Sequence, residues 1–237
     1  MARRSQDLTG TAWLIAGAAS SGLTLFVAAL GTRAGLWDAG IGLDLLTFRV
    51  VPALVVVGLV CALVLAVRAA RRPKTLGVVA ALAFLAVGGV AAGLALRWSD
   101  FQGAGIWDVT SDAGDPPGFS RLLADRRTRG GAAAASAPTG PDVCPGAAFA
   151  PTQVAPETAA RALEEAGFTV IGAAPFRVEG ERRGFWFGLG HDAVVRIRPG
   201  RTDVRVTART ARAQGDEACR LAAAVARGLA ADQPAGE

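Results

Sequence analysis

The chain has 237 residues, 51% of them hydrophobic, a mean hydropathy of +0.36, a formal net charge of +5 and a pI near 10.3. Such an apolar chain is not composed like an ordinary soluble domain of this size, which directs attention to membrane spans before any site chemistry. The basic balance argues weakly for nucleic acid once partitioned: residues 1–96 hold eight Arg or Lys against three Asp, while residues 97–237 hold 17 of each sign.

Three uncharged runs open the chain, of 25 residues between Asp7 and Arg33, 18 between Arg49 and Arg68, and 22 between Lys74 and Arg97. A helix crossing the bilayer core needs about 20 apolar residues. The runs predict a membrane region over 1–97 with spans at about 12–31, 48–67 and 75–96. The first run is longer than the apolar stretch of a cleavable leader and is read as a retained anchor. The connection "RAARRPK" carries Arg68, Arg71, Arg72 and Lys74 without an acid, and Arg3 and Arg4 precede the first span. Between Arg33 and Arg49, two arginines are balanced by Asp38 and Asp44. Because Lys and Arg accumulate on the cytoplasmic side, the N-terminus and second connection are expected inside, and residues 97–237 outside. The excess of Arg over Lys, with Lys74 the sole lysine, points to a GC-rich bacterial source and a plasma-membrane location.

Residues 98–151 read as an irregular segment rich in Gly, Asp, Ser, Pro and Ala, with one short strand near Ile106–Val109. Residues 152–231 carry a regular pattern. "PETAARALEEAGF" places Ala159, Leu163 and Ala166 at helical spacing and stops at Gly167. Strands are expected at "FTVIGAA" and around Phe176–Glu179. "RRGFWFGL" and "DAVVRIRP" read as one long strand bent at Gly188–Gly190, and "TDVRVTAR" pairs back across Pro199–Gly200. A closing helix is expected from about Asp216 to Ala230, followed by a tail at 232–237. The fold class is a three-helix membrane anchor plus a small α+β domain, its antiparallel sheet carrying helices on one face.

Strand alternation sorts the hairpin. Ala193, Val195, Ile197, Val204, Val206 and Ala208 form an apolar face. Asp192, Arg196, Arg198, Asp203, Arg205 and Arg209 form the other. The charged face is either an anion- or partner-binding surface, for an anionic lipid or an envelope protein, or a solvated face whose acids neutralise its arginines across strands; the second reading is the more economical. The loop bearing Asp108, Asp112 and Asp115 is the segment that could adjoin it. No catalytic residue is assigned. His191, the only histidine, has no nucleophile elbow near it, and Asp192 as its strand neighbour points the opposite way, so it is read as a turn residue. No metal-ligand set or phosphate loop is present, no cofactor is expected, and nucleic acid is not an expected partner. A hydrolase using Asp108, Asp112 and Asp192, with arginines orienting an anion, is the alternative to a non-enzymatic module. It requires loop and face to form one concave pocket holding a carboxylate of raised pKa.

Cys61 lies inside the second run, whereas Cys144 and Cys219 lie in the part expected outside, where a disulfide can persist. They are candidates to pair, or two unrelated thiols.

The stretches "IWDVTSDAGDPPGF", "FWFGLGHDAVVRIRP" and "TDVRVTARTAR" resemble the bacterial domain of unknown function 1499 family, over roughly residues 105–231. The resemblance implies the α+β fold and an envelope setting, and no established activity. Two departures stand out. The family pattern has paired aspartates where this chain has His191–Asp192. It has serines between two arginines where this chain keeps Arg205 and Arg209 but carries Val206 and Ala208.

Overall fold

A computed structural model describes residues 2–71, 73–102, 105–134, 137–212 and 214–231; Arg72 of the basic connection and the expected tail 232–237 lie outside these. The chain forms two compact units, one of residues 1–98 with 186–188 and one of 99–185 with residues from Leu189 onward.

The first unit holds α1 (Ala2–Arg33), a π-helical segment (Gly40–Val50) running directly into α2 (Val51–Arg71), and α3 (Pro73–Arg97). Three stretches, Thr9–Arg33, Gly40–Arg71 and Leu76–Arg97, are long and apolar enough to cross a membrane. Their surfaces are apolar all round: Val56, Val60, Leu63, Leu82 and Leu85 face outward, the pattern of helices solvated by lipid. Close helix approach rests on small residues, as it does between membrane helices. A Cβ on Gly17 would lie 2.6 Å from Cys61 Sγ, and one on Gly58 would lie 3.0 Å from a Val87 methyl. The second helix begins earlier than the uncharged run suggests, so Asp44 and Arg49 lie on it and not in a loop. The wide helical turn there matches a Thr47 hydroxyl that donates to Gly42 O five residues back, at 2.8 Å.

The second unit is built on an antiparallel sheet of order β1-β5-β4-β3-β2, with β1 Asp108–Thr110, β2 Thr169–Ala174, β3 Arg177–Arg183, β4 Gly190–Arg198 and β5 Arg201–Ala208. The hairpin register is the expected one, Arg198 opposite Arg201 across Pro199–Gly200, where Gly200 supplies φ +71° for the tight turn. "RRGFWFGL" differs from expectation. It is not continuous with β4: β3 ends at Arg183, and a turn closed by the Gly184 N–H on Leu189 O at 2.9 Å separates the strands. Gly188 adopts φ +65° in that turn, which an extended strand cannot accommodate.

Helices α5 (Pro156–Glu165) and α6 (Glu217–Ala231) pack on the apolar face. α5 has Pro156 at its first turn and buries Ala159, Ala162 and Leu163. α6 buries Ala218, Leu221, Ala222, Val225 and Leu229 in the same core as Val109, Val178, Val195, Val204 and Val206. A Cβ on Gly228 would meet Ala162 Cβ at 2.8 Å, so this glycine sets the α5–α6 approach. Cys144 and Cys219 form a disulfide, Cα–Cα 5.6 Å, across 75 residues of sequence. It ties the segment before α5 to α6.

Residues 98–151 are more ordered than their composition suggests. Thr139 bridges to Val109 on the outer edge of β1, Ala150 bridges to Thr202, and Ala147 is fully buried. A further helix, α4 (Arg121–Arg129), lies in this segment, its N-cap Ser120 accepting from the Leu123 N–H at 3.3 Å. α4 packs over the charged face, so helices cover both faces of the sheet and not one.

Candidate functional site

The charged face is the only surface the sequence singles out for chemistry, and strand register fixes its layout. Asp108, Thr207, Asp192 and Glu181 stand opposite one another in one row. Thr110, Arg205, Val194 and Glu179 form the next, then Asp203, Arg196 and Arg177. Alternation therefore places the acids and guanidiniums of these three rows on the side away from α5 and α6.

Three carboxylates anchor three ion clusters. Arg205 grips Asp108 in a bidentate pair, Nε to Oδ1 at 2.9 Å and Nη2 to Oδ2 at 2.6 Å, while the Thr207 hydroxyl donates to the same carboxylate at 2.7 Å. Asp192 receives Arg127 Nη1 from α4 at 2.6 Å and Arg209 Nη2 at 2.6 Å; Arg209 also reaches Glu181 at 2.9 Å. Asp203 receives Arg198 at 2.5 Å, Arg201 at 2.7 Å and Arg196 at 3.2 Å. The loop after β1 closes that cluster: Asp115 accepts from Arg196 at 3.0 Å and from Arg198 at 3.2 Å, and Asp112 from Arg198 at 3.2 Å. Glu179 is held otherwise. The backbone N–H and hydroxyl of Ser120 both donate to it, at 2.6 and 2.5 Å. This seats its charge at the N-terminus of α4, where the helix dipole favours an anion.

These groups are not at the surface. Asp192 and Asp203 are completely buried, and Asp108, Glu179, Arg127 and Arg205 are 3–6% exposed. The cover is the chain's own segment from Ser111 to α4. Phe119 lies between Arg127 and Arg205, 5.0 and 5.4 Å from the two guanidinium carbons, and Pro117 O accepts from Arg205 at 3.3 Å. The solvated face expected from sequence is thus corrected. A remote segment supplies its own helix, ring and carboxylates, so Asp192, Asp203 and Arg205 lose water; only Arg196, Arg198 and Arg209 keep a partly exposed edge.

Chemically, the arrangement commits its charges to one another. Each arginine expected to bind an anion, Arg196, Arg198, Arg205 and Arg209, already holds an internal carboxylate. Burial opposes ionisation of Asp112, but the Asp115 N–H and the guanidiniums of Arg198, Arg201 and Arg196 outweigh it and hold its carboxyl below the ordinary range. Arg209 is held more firmly protonated than usual, chiefly by its hydrogen bonds to Asp192. The Asp108–Asp115 loop does join the arginine face, as a hydrolase would require, and there its carboxylates are taken up by Arg196 and Arg198. A cleft of about 260 Å³ in this unit lies elsewhere, lined by Ser99, Asp100, Gln102, Ile106 and Asp216 among others. Among the described residues no group of three or more His, Cys, Asp or Glu is placed to hold a metal ion.

His191 also departs from expectation. It is 1% exposed, neither ring nitrogen has a hydrogen-bond partner, and desolvation lowers its pKa to about 4. It shares the inner face with Ala193, opposite Arg182, whose Nη1 bonds Glu217 of α6 at 2.6 Å.

Several members of the network escape a reading by sequence: Glu179, Glu181, Arg127, Ser120 and Arg201. The available signals were the i, i+2 acids of "VEGERR" and the Leu123/Arg127 spacing on one helical face. Comparison of the chain with models of known families, with curated proteins and with solved structures found no significant match.

Proposed function

We propose that the chain is a multi-pass protein of the bacterial plasma membrane whose C-terminal α+β unit is an extracytoplasmic binding or structural module of the cell envelope. The observation that carries this reading is the Cys144–Cys219 disulfide, which belongs in an oxidising compartment. Three candidate spans separate that unit from the N-terminus, and Arg68 and Arg71 close α2, the side the positive-inside rule assigns to the cytoplasm. The resemblance to the domain of unknown function 1499 family supports the same setting.

Within this reading the charged face is internal reinforcement: it joins β1, the following loop and α4 to the central strands, and partners meet other surfaces of the unit. Protease added to spheroplasts is the test. The C-terminal unit should be cut while the N-terminus stays protected, and the released fragments should separate only under reducing conditions if cleavage falls between the two cysteines. Protection of the C-terminal unit in spheroplasts, with cleavage after lysis, would overturn the proposal.

A further inference from the structure

We infer that the β3–β4 turn, Gly184–Leu189, is a second membrane attachment that seats Phe185 and Trp186 at the lipid headgroup level, an inference resting on the membrane reading above. Phe185 is 74% exposed and Trp186 65% exposed, side by side in a turn that is itself ordered by the Gly184–Leu189 hydrogen bond. Two adjacent large rings facing outward are costly in water and belong at an interface that accepts apolar bodies with a polar edge. The exposed Arg183 next to them suits anionic headgroups.

Sheet topology identifies which interface. The chain enters the sheet at Asp108, whose row contains Thr207, Asp192 and Glu181. Glu181 lies two residues before the end of β3, and Asp192 two residues after the start of β4. The aromatic turn and the chain's point of entry therefore share one end of the sheet. Only residues 98–107 link Arg97 at the end of the third span to Asp108, a tether of at most about 35 Å even when fully extended. Trp98, 42% exposed, starts that tether. Tryptophan at span ends and interfaces is the usual aromatic belt. The opposite end of the sheet carries the β2–β3 turn with Phe176, 65% exposed, which serves as an internal control.

The test uses the full chain with Cys61→Ala, incorporated in nanodiscs of mixed anionic and zwitterionic lipid. An environment-sensitive fluorophore is attached through Trp186→Cys or, separately, Phe176→Cys. The probe at 186 should show blue-shifted emission, lose intensity with lipids spin-labelled near the headgroup and resist aqueous iodide; the probe at 176 should show the reverse. Iodide quenching at 186 equal to that at 176 would overturn the inference, as would a probe at 186 that neither quencher reaches. A chain that elutes apart from the discs would instead overturn the membrane reading on which the inference rests.

Discussion

Arg205 and Asp108 meet through two hydrogen bonds, 2.9 and 2.6 Å, with 6% and 3% of the two residues exposed, although they stand 97 positions apart in the sequence. This pair fastens the edge strand β1 to its neighbour β5. Removing one partner strands a buried charge, which typically costs about 3–5 kcal/mol. Asp108→Asn and Arg205→Met should each lower the denaturant midpoint of the sheet unit strongly. The double variant Asp108→Leu/Arg205→Met should recover much of the loss, because no charge is then left unpaired. Equal and additive losses would show that the two side chains act separately.

Ser120 caps α4 and gives two hydrogen bonds to Glu179. Ser120→Ala deletes the cap, worth about 1 kcal/mol, and one donor to a buried carboxylate, worth about 1–3 kcal/mol. Hydrogen exchange should accelerate across α4 and the Phe119 region while the α5–α6 side stays protected. Uniform acceleration over the whole unit would contradict the view of α4 as a locally attached cover.

His191 links stability to pH. Its folded pKa, about 4, lies below the ordinary 6.5, because burial penalises the imidazolium more than Glu217 and Asp192 favour it, with Arg182 adding to the penalty. The unfolded chain thus takes up a proton first as pH falls. Stability should be full above about pH 6.5 and decline towards pH 4, by on the order of 3 kcal/mol. Since neither ring nitrogen is hydrogen-bonded, His191→Leu should fold and flatten that decline. An unchanged pH profile in His191→Leu would assign the slope to other groups.

The Cys144–Cys219 disulfide closes a long loop, which in the chain-entropy model contributes roughly 4 kcal/mol. Cys144→Ala/Cys219→Ala should lower the midpoint accordingly. In the unreduced, denatured parent only Cys61 should react with a maleimide, and three cysteines should react after reduction.

Much of this architecture was legible because it follows local periodicity. The uncharged runs mark three helices, and alternation in "HDAVVRIRPGRTDVRVTA" gives the hairpin register and both faces. Parity also places His191 on the side of Ala193; the flanking Gly188 and Gly190 argue for a bend, and in the folded chain parity prevails. The cover was illegible for a physical reason. α4 buries only Leu123 and Arg127, so its amphipathic signal is one leucine and one charge. A sequence pattern reports which side of a strand is polar, and it does not report whether a segment 60 to 100 residues away brings complementary charge to that side. The Cys pairing was open for the same reason, since distance in space is not written in spacing.

The central claim is that the α+β unit lies outside the cytoplasm, and an alkaline phosphatase fusion placed after Arg97 tests it most directly, because that enzyme is active only where its own disulfides form. The account predicts an active fusion at this site and an inactive one placed after Arg71, at the end of α2. An inactive fusion after Arg97, expressed at the same level, would contradict it.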